Sequence, residues 1–172
     1  MKSKFSMLLS VVLLGVSLYL LALRAPGWYR MFRLQGSQLD SQWPLVSIQG
    51  EPISFPFSKK TVVVFWATWC GPCKVELARV ARLVEEGKIP KDQVVAVASD
   101  EDVNLVRRVA DERAYPFTVA MDPGHKLYAH FKVEVTPTLA LVDEHQKIEW
   151  MTSGLSPTLE LRLLRFFETQ SE

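Results

Sequence analysis

The sequence holds only two cysteines in 172 residues, Cys70 and Cys73. Two cysteines cannot build a disulfide framework, and by themselves they do not fix a compartment. The chain also lacks an excess of either charge. Twenty Lys and Arg stand against nineteen Asp and Glu, a formal net charge of +1. The basic residues are spread along the chain, so nothing argues for a nucleic-acid partner. There is no internal repeat and no long low-complexity run. What is present is 48% apolar and 23% charged residues, a globular balance rather than a disordered one. The length suits one ordinary domain with additional segments.

One stretch lacks charge altogether. From Phe5 to Leu23, about 19 residues, Leu, Val, Tyr, Phe and Met dominate. That is close to the roughly 20 apolar residues a membrane-spanning helix needs. A cleaved signal peptide has a shorter apolar core and a small-x-small site. The run here ends Leu21-Ala22-Leu23-Arg24-Ala25, a poor site of that kind. The expectation is a retained anchor over residues 1–24, with the span at about 5–23. Lys2 and Lys4 lie on one side, and Arg24, Arg30 and Arg33 on the other, so charge leaves the orientation close to a tie. Trp28, Tyr29 and Phe32 suit the membrane–water boundary. Residues 25–42 read as a juxtamembrane linker, and residues 43–172 as the folded domain.

Within that domain, strand and helix patterns alternate. Leu45–Ile48 and Pro52–Phe55 flank Gln49-Gly50-Glu51 as a β-hairpin. Thr61–Trp66 is a β-branched and aromatic run, expected to be a strand buried on both faces. A helix follows over Pro72–Glu86. Val94–Ala98 is a second buried strand, and Phe117–Met121 a third, closed by Asp122-Pro123-Gly124. Between them Ser99 or Asp100 is expected to cap a helix, with Glu101 and Asp102 in its first turn. A short helix covers His125–Phe131. Thr138–Val142 and Lys147–Thr152 are joined too tightly for a crossover and must pair antiparallel. A last helix, capped near Ser156-Pro157, runs to about Thr169. The expectation is an α/β domain with a central mixed β-sheet flanked by helices.

The two cysteines sit where the first buried strand gives way to a helix, in Phe65-Trp66-Ala67-Thr68-Trp69-Cys70-Gly71-Pro72-Cys73-Lys74. A helix start offers unpaired N–H groups and a partial positive charge, and both favour a thiolate. Cys70 is therefore the expected nucleophile. Pro72 fits the first helical turn, where its missing N–H costs nothing. Cys73, three residues on, can resolve a mixed disulfide and close the ring with Cys70. Structural zinc needs four ligands. There is no second cysteine pair, and His125, His130 and His145 have no i, i+4 spacing among them. No metal and no cofactor are called for. Glu76, one turn past Cys73 and at the edge of the helix's apolar face, is the candidate to trade a proton with it. Lys74, Arg79, Arg82 and Glu85 fall on the far side of that helix.

The segment from Trp66 to Lys74 resembles the active-site signature of the thioredoxin superfamily. Val135-Thr136-Pro137-Thr138 resembles the cis-proline loop that faces the cysteines in that fold. The apolar N-terminus, the Leu45–Phe55 hairpin and Glu76 resemble the TlpA/ResA-like branch of membrane-anchored, extracytoplasmic thiol–disulfide oxidoreductases. The resemblance implies a thioredoxin-like fold and a functional acid at Glu76. It also implies a substrate surface formed by Trp69, Gly71, Pro72, Thr136 and Pro137, with Thr136 pairing its backbone to an extended substrate segment. One departure stands out: soluble thioredoxins carry a buried acid six residues before the first cysteine, where this chain has Val64.

The Gly-Pro dipeptide between the cysteines resembles that of reducing thioredoxins and favours a protein-disulfide reductase. Such an enzyme, on the periplasmic or extracytoplasmic side, would draw electrons from an integral membrane thiol carrier. Its substrates would be protein disulfides, with apocytochrome c or metal-site cysteines among those the resemblance implies. Two alternatives stay open: a dithiol oxidant or isomerase, and a copper-binding thiol chaperone. A thiol peroxidase loop, Pro-x-x-x-Thr-x-x-Cys, is absent, because Val63 and Ala67 occupy its Pro and Thr positions.

Overall fold

The computed structural model describes residues 10–20 and 34–168. Residues 10–20 are helical, and their apolar side chains are exposed, Leu14 at 63% and Tyr19 at 65%. The remainder of the expected span, 5–23, lies outside the described residues. Among those described, no helix is long and apolar enough to cross a membrane.

In chain order the domain contains β1 (Trp43–Ser47), β2 (Pro52–Phe55), β3 (Thr61–Trp66), α1 (Gly71–Glu85), β4 (Val94–Ala98), α2 (Val103–Glu112), β5 (Thr118–Met121), α3 (Lys126–His130), β6 (Thr138–Val142), β7 (Ile148–Ser153) and α4 (Leu159–Glu168). The seven strands form one sheet in the order β2-β1-β5-β4-β3-β6-β7. β3, β4 and β5 run parallel, and every other pairing is antiparallel. This is the mixed sheet expected from the alternation of elements, with the β1–β2 hairpin added beyond β5.

Every residue of β3 and β4 is buried. Because strand side chains alternate, each strand feeds two layers. Val62, Val64 and Trp66 join Val94, Ala96, Leu139 and Leu141 against α1, α2 and α4. Val63 and Phe65 join Val95, Val97 and Ala140 against Leu127, Tyr128 and Phe131 on the other face. Each fully buried aliphatic or aromatic side chain contributes about 1.5–3 kcal/mol relative to exposure. The central position of β3 is thus what carries the start of α1 rigidly on the sheet. At the other end of the sheet Lys60, 4% exposed, donates from Nζ to the Phe166 carbonyl at 2.8 Å and ties the C-terminal turn of α4 to the strand.

Three local expectations need correction. The described part of the 25–42 linker is not a tether. Leu39 is 1% exposed, Ile148 N–H donates to the Ser37 carbonyl and Leu39 N–H to the Gln146 carbonyl, each at 2.9 Å. Residues 34–39 therefore pack against β7 as part of the domain. The cap of α2 is neither Ser99 nor Asp100 but Asp102, whose carboxylate accepts from Asn104 and Leu105 N–H at 2.9 and 3.3 Å. No acidic residue occupies that helix's first turn. The hairpin turn follows the expected pattern: Gly50 adopts φ +94°, a conformation its lack of a Cβ permits, and Ser47 N–H donates to the Glu51 carbonyl at 2.8 Å.

Candidate active site

Cys70 and Cys73 are joined by a disulfide, with a Cα–Cα distance of 5.2 Å. Cys70 is the N-cap residue of α1, and Pro72 falls in the first helical turn. The Cys73 N–H donates to Cys70 Sγ at 3.2 Å, so the sulfur takes the place of the usual capping oxygen. Cys70 is 5% exposed and Cys73 is fully buried. Both are buried, and Cys70 is the one nearer the surface. The exposed Gly71 and Pro72 lie between them.

The loop before β6 closes over this helix start. Its Thr136–Pro137 peptide bond is cis, and the Thr136 carbonyl oxygen lies 3.6 Å from Cys70 Sγ. A second cis bond, Phe55–Pro56, closes β2. Gly154 N–H donates to the Pro137 carbonyl at 2.7 Å and fixes the loop to the end of β7. Trp69 stands 77% exposed beside the sulfur, and Val135 57% exposed. The sequence-predicted residues Trp69, Cys70, Gly71, Pro72, Cys73, Thr136 and Pro137 thus meet at one end of the sheet.

Glu76 departs from its expected place. It is not at a half-exposed edge but is 1% exposed. Its Oε2 accepts from Arg79 Nη1 at 2.8 Å, and its Oε1 from the Ser156 N–H at 2.9 Å. Arg79, expected on the solvent side, folds back toward it. Arg79 Nη1 also donates to the Ser156 carbonyl at 2.7 Å, and its Nε to Glu160 Oε1 at 3.3 Å. The carboxylate therefore holds α1 against the turn that opens α4 as well as lying one helical turn from Cys73.

Residues with no expected role at the site hold the loop before Cys70. Thr68 N–H and Oγ1 donate to the two oxygens of Asp100 at 2.9 and 2.6 Å. Ser99 N–H donates to the Trp66 carbonyl at 2.9 Å, extending the β3–β4 pairing to the loop. Below it the Tyr128 hydroxyl lies 2.9 Å from the carbonyls of Trp66 and Val97, donating its single proton to one at a time. Burial pushes that hydroxyl well above its ordinary pKa, so it remains a neutral donor. The signal for Asp100 was its position just past the end of β4, beside the end of β3 in a parallel pair. The signal for Arg79 was its i+3 spacing from Glu76.

Comparison with known proteins gives a consistent picture. A family model described as Redoxin matches residues 54–162. A thioredoxin-like protein of Haemophilus influenzae is 32% identical over 130 residues, covering 72% of this chain and 73% of that one. The thiol–disulfide oxidoreductase ResA of Bacillus thuringiensis is 31% identical over 84 residues, so that match spans 49% of each chain. The crystal structure of StoA from Bacillus subtilis superposes with a TM-score of 0.63 at 24% identity, over 75% of this chain and 99% of that one.

Proposed function

We propose, from the premise that the chain belongs to the Redoxin family and is one of its thiol–disulfide oxidoreductases, that it acts as a reductase of protein disulfides outside the cytoplasm. The observation that carries this reading is the Cys70–Cys73 disulfide at the start of α1, with Cys70 at the helix cap and the less buried of the two.

The chemistry follows from the placement. In the dithiol form the start of α1 stabilises a Cys70 thiolate, through the Cys73 N–H and the helix dipole. That thiolate attacks one sulfur of a substrate disulfide. The Cys70–substrate bond forms, the substrate's own bond breaks, and one substrate thiolate leaves. Cys73 then attacks Cys70 Sγ. The internal disulfide forms, and the second substrate thiolate leaves. Two electrons pass to the substrate, and the protein ends in the oxidised state described above. No further redox group is needed, because the two sulfurs carry both electrons.

Trp69, Gly71, Pro72, Thr136 and Pro137 form the proposed docking surface, with the Thr136 backbone offered to an extended segment. Glu76 is proposed to exchange a proton with Cys73 in the second step. The Gly71-Pro72 dipeptide supports the reducing direction. Regeneration then requires a dithiol donor, proposed to be an integral membrane thiol carrier. The charge-free run 5–23 supports a membrane anchor for the domain, facing the periplasm or extracytoplasmic space. Apocytochrome c and metal-site cysteines are the proposed substrate classes.

The test is trapping. Replacing Cys73 with Ser removes the resolving thiol, so the full-length protein in its host should accumulate disulfide-linked adducts on Cys70. An extracytoplasmic protein with a reducible disulfide supports the proposal. The absence of any adduct, with Cys70 shown to be free and reactive, sinks it.

A further inference from the structure

The outer face of α1 carries a surface that the exchange at Cys70 does not use. Gly71, Lys74, Val75, Ala78, Arg79 and Arg82 recur along it at helical spacing, and with Arg113 and Glu160 they line a groove of about 790 Å³. Arg113 is the cap residue at the end of α2, and Glu160 lies in the first turn of α4, so three helices contribute to the groove. Among its charges the groove presents Val75, 52% exposed, and the exposed Ala78.

The charges are uneven in number and in how they are satisfied. Four cations line the groove against one carboxylate. Glu160 Oε1 accepts from Arg79 Nε at 3.3 Å and from Arg82 Nη2 at 2.5 Å, and Arg79 Nη1 also serves the buried Glu76 at 2.8 Å. Those bonds hold the two arginines in place. Lys74 and Arg113 have no ion-pair partner among the described residues. The charges of the whole chain nearly balance, at +1, so this excess is local.

A lone solvated cation on a helix is ordinary. Here two unpaired cations share a groove with an exposed valine, and the groove begins at Gly71, the residue beside Cys70. It is therefore continuous with the docking surface proposed above. From Gly71 to Arg82 the helix advances about 16 Å, the reach of about five extended residues.

We propose that the groove takes an acidic segment of the protein whose disulfide is presented to Cys70. Aspartate or glutamate side chains of that segment pair with Lys74 and Arg113, and an apolar residue covers Val75. This proposal rests on the dithiol reading above and narrows its substrate class to proteins with acidic residues within about five positions of the reactive cystine. Exposed pairs of this kind steer and orient an incoming protein more than they tighten its binding. The groove selects which disulfides arrive and the direction in which they lie, while the exchange itself stays with the two sulfurs.

The test uses the full-length chain in its reduced form and a series of disulfide-bridged peptides. The peptides come in twins that differ only in glutamate or glutamine, placed in turn at each of about five positions on either side of the cystine. On one side, the glutamate peptide is expected to show a KM roughly 3- to 10-fold lower than its glutamine twin at low ionic strength. The ratio should fall toward one as salt shortens the screening length from about 10 Å at 0.1 M to about 3 Å at 1 M. It should also fall toward one in Lys74→Gln/Arg113→Gln, and Lys74→Glu/Arg113→Glu should reverse it, so that a lysine peptide now has the lower KM. Comparing twins on the same protein cancels any general loss of activity in a variant. Equal KM values for the twins at every position overturn the proposal, whether the groove then proves to hold an anionic lipid headgroup, a second copy of the chain or nothing. A glutamate advantage that both double variants retain overturns it as well. Failure of the unsubstituted protein to reduce a small neutral disulfide is a separate outcome. It overturns the dithiol reading, and this proposal falls with it.

Discussion

The Cys73 N–H points at Cys70 Sγ from 3.2 Å, so the backbone of one cysteine caps the helix through the sulfur of the other. The same donor that satisfies the helix end stabilises charge on Cys70, whereas Cys73 Sγ is buried one turn inside. At neutral pH, Cys70 of the reduced protein should alkylate at least tenfold faster than Cys73. Mass spectrometry of peptides after a timed iodoacetamide pulse reads the ratio. Equal rates would remove the assignment of roles.

Trp69 carries little of the fold, being 77% exposed. Trp69→Ala should leave stability within about 0.5 kcal/mol of the parent, as surface changes generally do. If Trp69 is a docking anchor beside Cys70, kcat/KM for a protein disulfide falls about tenfold, while a small disulfide reagent reacts as before. A parallel loss with both substrates would assign the residue to the loop's shape instead.

The loop before Cys70 depends on Asp100. Asp100→Ala leaves Thr68 N–H and Oγ1 without their acceptor, at a cost of about 1–3 kcal/mol. Thr68→Val should cost less, because it removes one of the two bonds. Chemical denaturation of the oxidised proteins measures both, and the double variant should fall short of additivity, as residues in one network do.

These contacts show which parts of the protein were legible beforehand. The β3 strand was plain because six β-branched and aromatic residues in a row suit only a strand covered on both faces, as Thr61 to Trp66 are. The cysteines were plain because a strand end followed by Trp-Cys-Gly-Pro-Cys admits few alternatives. The cap of α2 was misplaced, because Ser99, Asp100 and Asp102 are all capable caps. Which one serves depended on Asp100 being drawn away to Thr68, a tertiary contact. The burial of Glu76 was underestimated for the same kind of reason. Helix periodicity places it at the edge of an apolar face, but not beside the Ser156 N–H, 80 residues later, that lets it go fully inside. Leu39 lies in a polar stretch that pattern alone reads as a linker, and backbone bonds to β7 hold it in the core.

Glu76 and Arg79 form a pair whose members differ in exposure, 1% against 25% for the side chains. Removing the arginine strands a buried carboxylate, which typically costs about 3–5 kcal/mol. Arg79→Ala should therefore destabilise more than Glu76→Gln, whose amide oxygen can still accept from Ser156 N–H. Urea unfolding of the oxidised proteins decides the order. A proton-exchanging Glu76 has a second signature. In a Cys70→Ser background, Glu76→Gln should shift the pH dependence of Cys73 alkylation. An unchanged profile would leave Glu76 as a clamp between α1 and α4 and nothing more.

His130 provides a pH test that is independent of the thiols. Burial, with a smaller effect from Lys132, lowers its pKa below the ordinary 6.5, and its ring lies against Trp43 with centroids 4.4 Å apart. A depressed folded-state pKa means that the unfolded chain binds the proton more readily. This contribution to stability is therefore fully present above about pH 6.5 and is lost as pH falls through the lower folded-state value. Between about pH 7 and pH 5 the protein should lose stability, and His130→Gln should flatten that part of the profile. Thermal melts of the oxidised protein across this range provide the measurement. A slope left unchanged by the substitution would show that other groups set the acid limit.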